Sequence, residues 1–265
     1  MSIYAIKNNH QIQSTDPILG FEDERLDGTG WFRFLTFEGK RAYMIGTCCE
    51  TCEFLFERVG IYNQGLLPKE LSALFKSGLH DISEDVLKTV APLFPSGTYE
   101  VVLQEITPRK VRPQSVDDYF TNEQLTAWPI DFFWGLPHYP KVEYYRSRTQ
   151  SISADETFFE FINPTMPPAS LNEETVNLYQ ASITSGEKPT VFAISVIDTK
   201  SSESGSESNL VKTHSCLSHY VLDGHHKLEA AARLGAPITV LSFVAKDRCL
   251  SHDESVAICL NLLNK

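Results

Sequence analysis

One run constrains this chain more than any other: Tyr220-Val221-Leu222-Asp223-Gly224-His225-His226-Lys227-Leu228-Glu229-Ala230-Ala231. A short apolar stretch leads into Asp-Gly-His-His-Lys, and a helix-period pattern follows at once. The spacing predicts a strand, a tight turn at Gly224 and a helix start. Such a turn aims several backbone N–H groups at one place, beside the positive end of the helix dipole, which suits a phosphate or another anion. Two imidazoles, an ammonium and a carboxylate within five positions make it the first candidate site. The bland alternative is a turn in which Asp223 caps the helix and the histidines hydrogen-bond to neighbouring loops.

The surroundings of this turn read clearly. Ser170-Leu171-Asn172-Glu173 has the form of a capping box, and a helix is expected from there to about Ile183. Gly186 and Pro189 end it, and Thr190 to Ile197 is a strong strand pattern. Lys200 to Asn209 is a polar, low-complexity excursion. His219 to Leu222 is the next strand, and the following helix should stop at Gly235, with Pro237 just beyond. Ile238 to Val244 is a further strand. A last helix starts near Ser251-His252-Asp253-Glu254 and buries Val256, Cys259, Leu260 and Leu263.

The first half reads as mixed helix and strand. Trp31 to Phe37 and Arg41 to Gly46 form an expected hairpin around Glu38-Gly39-Lys40. Cys48 to Val59 is expected to open a short helix. Pro68 to Ser77 and Ser83 to Ala91 read as helices, the second capped by Ser83 with Glu84 and Asp85 in its first turn. Thr98 to Ile106 reads as a strand. From Pro108 to Arg148 the chain is rich in proline and aromatics (Trp128, Phe132, Phe133, Trp134, Tyr139, Tyr144, Tyr145) with no regular period. It is expected to be packed, irregular chain that joins or covers the two halves. The fold class is therefore α+β (mixed α/β), with a boundary near residue 150: residues 1–150 as a mixed domain, and 151–265 as the domain carrying the motif.

Composition narrows the function. Over 265 residues, 42% are hydrophobic and 11% aromatic, enough for a core and against global disorder. The formal net charge of −11 argues against broad nucleic-acid binding, which relies on Lys and Arg to neutralise phosphates. Residues 1–10 do not form a secretory signal, and no apolar run is long enough to span a bilayer. The expectation is a cytoplasmic protein with its six cysteines mostly reduced.

With these landmarks in order (helix, strand, strand, Asp-Gly-His-His-Lys, helix, strand), residues 151 to about 250 resemble the ParB/sulfiredoxin-like fold. Its members carry Gly-X-X-Arg or Asp-Gly-His-His-Arg at this turn. The resemblance implies nucleotide phosphates held against Gly224, His225, His226 and Lys227. The relatives nearest at the motif are ADP- or ATP-dependent free serine kinases; others are CTP-binding partition proteins and sulfiredoxins. Two departures matter. Lys227 stands where Arg is usual, keeping the charge but losing bidentate phosphate recognition. His225 stands between Gly224 and His226, where a sulfiredoxin would have its cysteine, so that activity is not expected. A partition role is not expected either, since little chain follows Leu250 for a helix-turn-helix.

As a kinase-like member, the chain would use ATP or ADP with Mg to phosphorylate a small hydroxyl compound. Asp223 would position the metal or accept the substrate proton, and His226 and Lys227 would stabilise developing charge. An acidic residue near Glu173 and Glu174 would be the general base. Glu173 already has a capping job, so Glu174 is the candidate. The second reading is a non-catalytic nucleotide-sensing module that contacts another protein. The third is a metal or thiol protein built on Cys49 and Cys52, a Cys-X-X-Cys that could serve redox exchange or contribute to a Zn site.

Overall fold

The structure, a computed structural model, describes residues 2–26, 30–47, 49–60, 69–128, 142–202, 211–251 and 253–263. Its strands are β1 (Ser2–Ile12), β2 (Leu19–Leu26), β3 (Gly30–Phe37), β4 (Lys40–Thr47), β5 (Glu57–Arg58), β6 (Gly97–Ile106), β7 (Arg109–Val111), β8 (Tyr144–Ser151), β9 (Glu156–Pro164), β10 (Thr190–Ser201), β11 (Thr213–Asp223) and β12 (Ile238–Ala245). Its helices are α1 (Lys69–Ser77), α2 (Glu84–Val90), α3 (Glu123–Ala127), α4 (Glu173–Thr184), α5 (His225–Leu234) and α6 (Asp253–Leu263). The class is α+β, built on a mixed sheet. No helix among the described residues is long and apolar enough to cross a membrane.

Eight strands form one sheet in the order β1-β6-β12-β10-β11-β9-β8-β7. Two of its neighbour pairs are parallel, β10 with β12 and β11 with β9. Residue 150 lies inside β8, and β6 pairs antiparallel with β12 from Tyr99 opposite Ala245 to Ile106 opposite Ile238. The expected boundary near residue 150 therefore does not divide this sheet, which takes β1, β6 and β7 from the first half and β9 to β12 from the second. A second sheet, β2-β3-β4-β5, comes from the first half alone. Its hairpin turn places Glu38 and Gly39 at positive φ, as a tight two-residue connection requires.

Alternation along β10 sorts its side chains onto two faces. Phe192, Ile194 and Val196 enter one core with Leu35, Phe37, Tyr43, Phe75 and Val90, from the second sheet and from α1 and α2. Val191 and Ala193 face the other way, against Leu228 and Ala231 of α5, while Ile197 meets Val256 and Cys259 of α6. Ser83 caps α2 as expected, accepting from the Val86 N–H.

Local readings need three corrections. The described part of Cys48 to Val59 is not helical: Phe54 and Phe56 enter one cluster and Leu55 another, the period of extended chain. The cap of α4 is Asn172, which accepts from the Thr175 N–H, rather than Ser170, because Pro168 to Ser170 form a separate 3-10 turn. The segment Pro108 to Arg148 contains regular pieces, β7, α3 and the start of β8, with Trp128 and Tyr144 in the aromatic core. Phe132, Phe133, Trp134 and Tyr139 lie outside the described residues, as do Cys48, His252 and most of the polar excursion, 203–210.

Candidate functional site

Strand β11 delivers Asp223 to the edge of the core, and the chain turns into α5 at Gly224, with φ +98°. A side chain there would meet Val191 Cα at 3.1 Å, Lys227 Cδ at 3.2 Å and Val191 Cγ2 at 3.3 Å. Glycine is needed both for the backbone conformation and for the close approach to β10. No side chain among the described residues caps α5. The Leu228 N–H bonds back to the Gly224 carbonyl, and the N–H groups of His225, His226 and Lys227 have no acceptor among the described residues. The predicted strand–glycine–helix turn is present, with first-turn amides of the kind that favour an anion.

The motif side chains point inward to the protein. The buried His225 ring places Nε2 3.1 Å from the N–H groups of both Thr165 and Met166. Both donate, so Nε2 is the bare nitrogen and the ring proton sits on Nδ1. Burial pushes the His225 pKa down to about 3, helped by the charges of His226 and Arg58. His226 Nε2 accepts from the Asn172 N–H at 3.0 Å, and its pKa is lowered by partial burial despite Asp223 nearby. Lys227 is buried, and its Nζ donates to the Thr190 carbonyl at 3.0 Å and to Asp223 Oδ2 at 2.9 Å. Burial lowers its pKa, and Asp223 opposes that.

These contacts change the chemistry available. Both imidazoles are neutral acceptors near pH 7, so neither offers a cation to a phosphoryl group. The Lys227 charge is spent on Asp223 and on a carbonyl. Glu174 is exposed in the first turn of α4, close in sequence to Asn172, while Glu173 forms a two-pronged ion pair with Arg233 at 2.7 and 2.8 Å rather than closing a capping box. Five motif residues are thus brought together by the fold. His225 and His226 hold the loop between β9 and α4 at both ends, through residues 165–166 and 172, and Lys227 holds Asp223 to the Thr190 carbonyl.

Sequence reasoning missed the surroundings of this turn. A narrow cleft beside the His225 ring is lined by Lys110, Glu143, Tyr145, Pro164, Met166 and Leu171. Lys110 lies 3.0 Å from Glu143 and 3.2 Å from Glu229, so carboxylates match its charge. Arg58 donates to the Pro164 carbonyl at 2.9 Å, and its Nε is buried with no partner among the described residues. None of these had a local motif to mark it, since they come from four separate segments.

A second polar group crosses the helix-covered face of the eight-stranded sheet. Ser195 Oγ lies 2.7 Å from His219 Nδ1, and His219 Nε2 lies 3.1 Å from Glu160 Oε1. Ser147 and Gln104 also donate to Glu160. Burial raises the Glu160 pKa, but these donors together with Arg148 hold it below the usual carboxylate range. The order serine, histidine, carboxylate is that of an acyl-transfer nucleophile and its base. All three are at 0% exposure, so no substrate reaches Ser195 and the row is structural.

Cys216, Cys249 and Cys259 are free thiols, while Cys49 and Cys52 form a disulfide. Their sulfurs are bonded to each other, and no group of three or more His, Cys, Asp or Glu among the described residues could hold a metal ion. The paired sulfurs therefore do not act as Zn ligands in this state. No family model, curated protein or solved structure matches the chain.

Proposed function

We propose that the chain binds a phosphate-bearing small molecule at the first turn of α5, a nucleotide such as ATP or ADP with its Mg on the ParB/sulfiredoxin-like reading, and that it binds without transferring the phosphoryl group. The observation that carries this is Gly224 at φ +98° between β11 and α5, with the His225, His226 and Lys227 N–H groups left without acceptors among the described residues. The helix dipole adds to these amides, and the Arg58 charge is felt at His225. Binding is favoured over transfer because Asp223, His226 and Lys227 are each engaged within the protein. Loop 164–172 would move to admit the ligand, and its hold on the two histidines makes it the natural gate.

A thermal-shift series with ATP, ADP, CTP, pyrophosphate and phosphate, each with and without magnesium, tests this. A ligand at a hundred times its Kd stabilises by about 2.7 kcal/mol, which shows as a rise of several degrees. No rise with any of them at millimolar concentration removes the site. Turnover of ATP or ADP in the presence of small hydroxyl compounds would replace binding by the kinase reading.

A further inference from the structure

The segment around Cys49 and Cys52 is held more firmly than a surface turn needs. Lys200 Nζ donates to the Thr47 carbonyl at 2.9 Å and also to the Cys49 carbonyl. The Ser201 N–H donates to the Glu50 carbonyl at 2.9 Å, and Trp128 Nε1 to the Thr51 carbonyl at 2.9 Å. Carbonyls at 47, 49, 50 and 51 are thus fixed by donors from β10 and from the end of α3. Lys200 is itself buried, 3.4 Å from Asp198 Oδ2 and over the Phe54 ring. The two cysteines stay partly exposed, and the Cys52 N–H points at Cys49 Sγ, 3.1 Å away.

A disulfide that closes so short a loop removes little chain entropy compared with one closing a long loop. Here the backbone geometry is already imposed by four hydrogen bonds that do not involve sulfur. Opening the bond would leave Cys49 Sγ beside an N–H donor and on the residue whose carbonyl holds a buried ammonium. Both favour a thiolate at Cys49 over one at Cys52.

We propose that Cys49 and Cys52 are a redox-active pair that exchanges with an external dithiol, with Cys49 the sulfur that forms the mixed disulfide. In the reducing direction a thiolate of the dithiol attacks Cys49 Sγ. The Cys49–Cys52 bond breaks, and Cys52 leaves as thiolate and takes a proton from water. The second thiol of the dithiol, once deprotonated, attacks its own sulfur in the mixed disulfide and releases Cys49 as thiolate. The dithiol ends as a disulfide; two electrons and one proton have passed to the pair, and the dithiol's other proton to water. This site is separate from the α5 turn and does not depend on it.

The test uses the full chain with Cys48→Ser, so that the neighbouring thiol cannot take part. Native protein is equilibrated with reduced or oxidised dithiothreitol, quenched with a maleimide and read by peptide mass spectrometry. The expected result is two labels, on Cys49 and Cys52, gained in millimolar reduced dithiothreitol without denaturant and lost again on oxidation. In the single variants, Cys49 left by Cys52→Ser should alkylate faster than Cys52 left by Cys49→Ser. Each unit of pKa difference gives about a threefold rate gain, because the larger thiolate fraction is partly offset by weaker nucleophilicity. A native disulfide that opens only in denaturant, or a pair that stays reduced in oxidised dithiothreitol, overturns the proposal. So does equal reactivity of the two thiols, or a faster Cys52. Circular dichroism of each form checks that the fold is retained, and the same labelling on the wild-type chain, read at the peptides of Cys49 and Cys52, stands even if a variant fails to fold.

Discussion

Replacing Gly224 by alanine isolates what the turn before α5 demands. Two costs add there. A residue with a Cβ in left-handed backbone costs about 1–2 kcal/mol, and φ +98° lies well beyond the usual left-handed centre near +57°. The new methyl would also sit 3.1 Å from Val191 Cα, inside the roughly 3.5–4.0 Å of ordinary carbon contact. That neighbour is backbone of a central strand and cannot yield cheaply, so overpacking adds about 1–3 kcal/mol. The sum is about 3 kcal/mol. Gly235, which ends the same helix at φ +59°, is the internal control: a Cβ there meets nothing within 4 Å. Gly235→Ala should cost about 1 kcal/mol, from backbone conformation alone. In urea titrations of the two variants, Gly224→Ala should lose about 2 kcal/mol more than Gly235→Ala, and in melting its Tm should fall by on the order of 4 °C more. Equal losses would refute the close approach of the turn to β10, and with it the placement of the first-turn amides of α5.

Two further outcomes follow from the buried polar groups. Burial depresses His225 to about 3 and His214 to about 4, below their unfolded value near 6.5. The unfolded chain therefore takes up protons first as pH falls, so stability is fully present above about 6.5 and declines below it. Each histidine contributes a slope of about 1.4 kcal/mol per pH unit. Between pH 6 and 5, His225→Gln, whose amide oxygen can accept from Thr165 and Met166, should flatten the profile of unfolding free energy from urea titration by that amount; an unchanged slope would show that His225 is not held neutral. Glu160 accepts from Gln104, His219 and Ser147, so Glu160→Gln puts an NH2 group where one of these donors needs an acceptor. It should cost about 2 kcal/mol, and a variant as stable as wild type in equilibrium denaturation would contradict the assigned donors.

The parts of this fold legible in the sequence are those fixed by short-range chemistry. The β3–β4 hairpin, the Ser83 cap, β10 and the strand–Gly224–helix turn each rest on a few adjacent residues with one strong preference. The misreadings arise where distant residues decide. Strand β1 went unassigned because its partner, β6, lies far along the chain and supplies the pairing that its mixed sequence does not advertise. The sheet that runs across residue 150 was hidden for the same reason: β6 and β12 are separated by more than a hundred residues yet hydrogen-bond along their length. At the candidate site, Asp223 to Lys227 stand side by side in the sequence. The partners of their side chains, Thr165, Met166, Asn172 and Thr190, lie on β10 and in the loop between β9 and α4, and no local pattern points to them.

That pairing changes what the density of polar groups in Asp223 to Lys227 means. A histidine that accepts two backbone N–H groups satisfies donors that a loop entering a helix would otherwise leave without partners. His225 does this for Thr165 and Met166, and His226 does it for Asn172 at the entrance to α4. Lys227 ties Asp223 to the first residue of β10. The motif therefore joins three elements that meet only in space: the end of β9, the start of α4 and the start of β10. Anything that binds the amides of α5 must do so against this same loop. Displacing the loop would strand three backbone donors and expose two rings, so a ligand has to supply replacement hydrogen bonds as well as charge. A phosphate-bearing molecule with a polar ring system offers both. Inorganic phosphate offers charge and acceptor oxygens at one point only, too compact to serve the α5 amides and the loop's donors together, and it should stabilise the protein less than a nucleotide does at the same concentration.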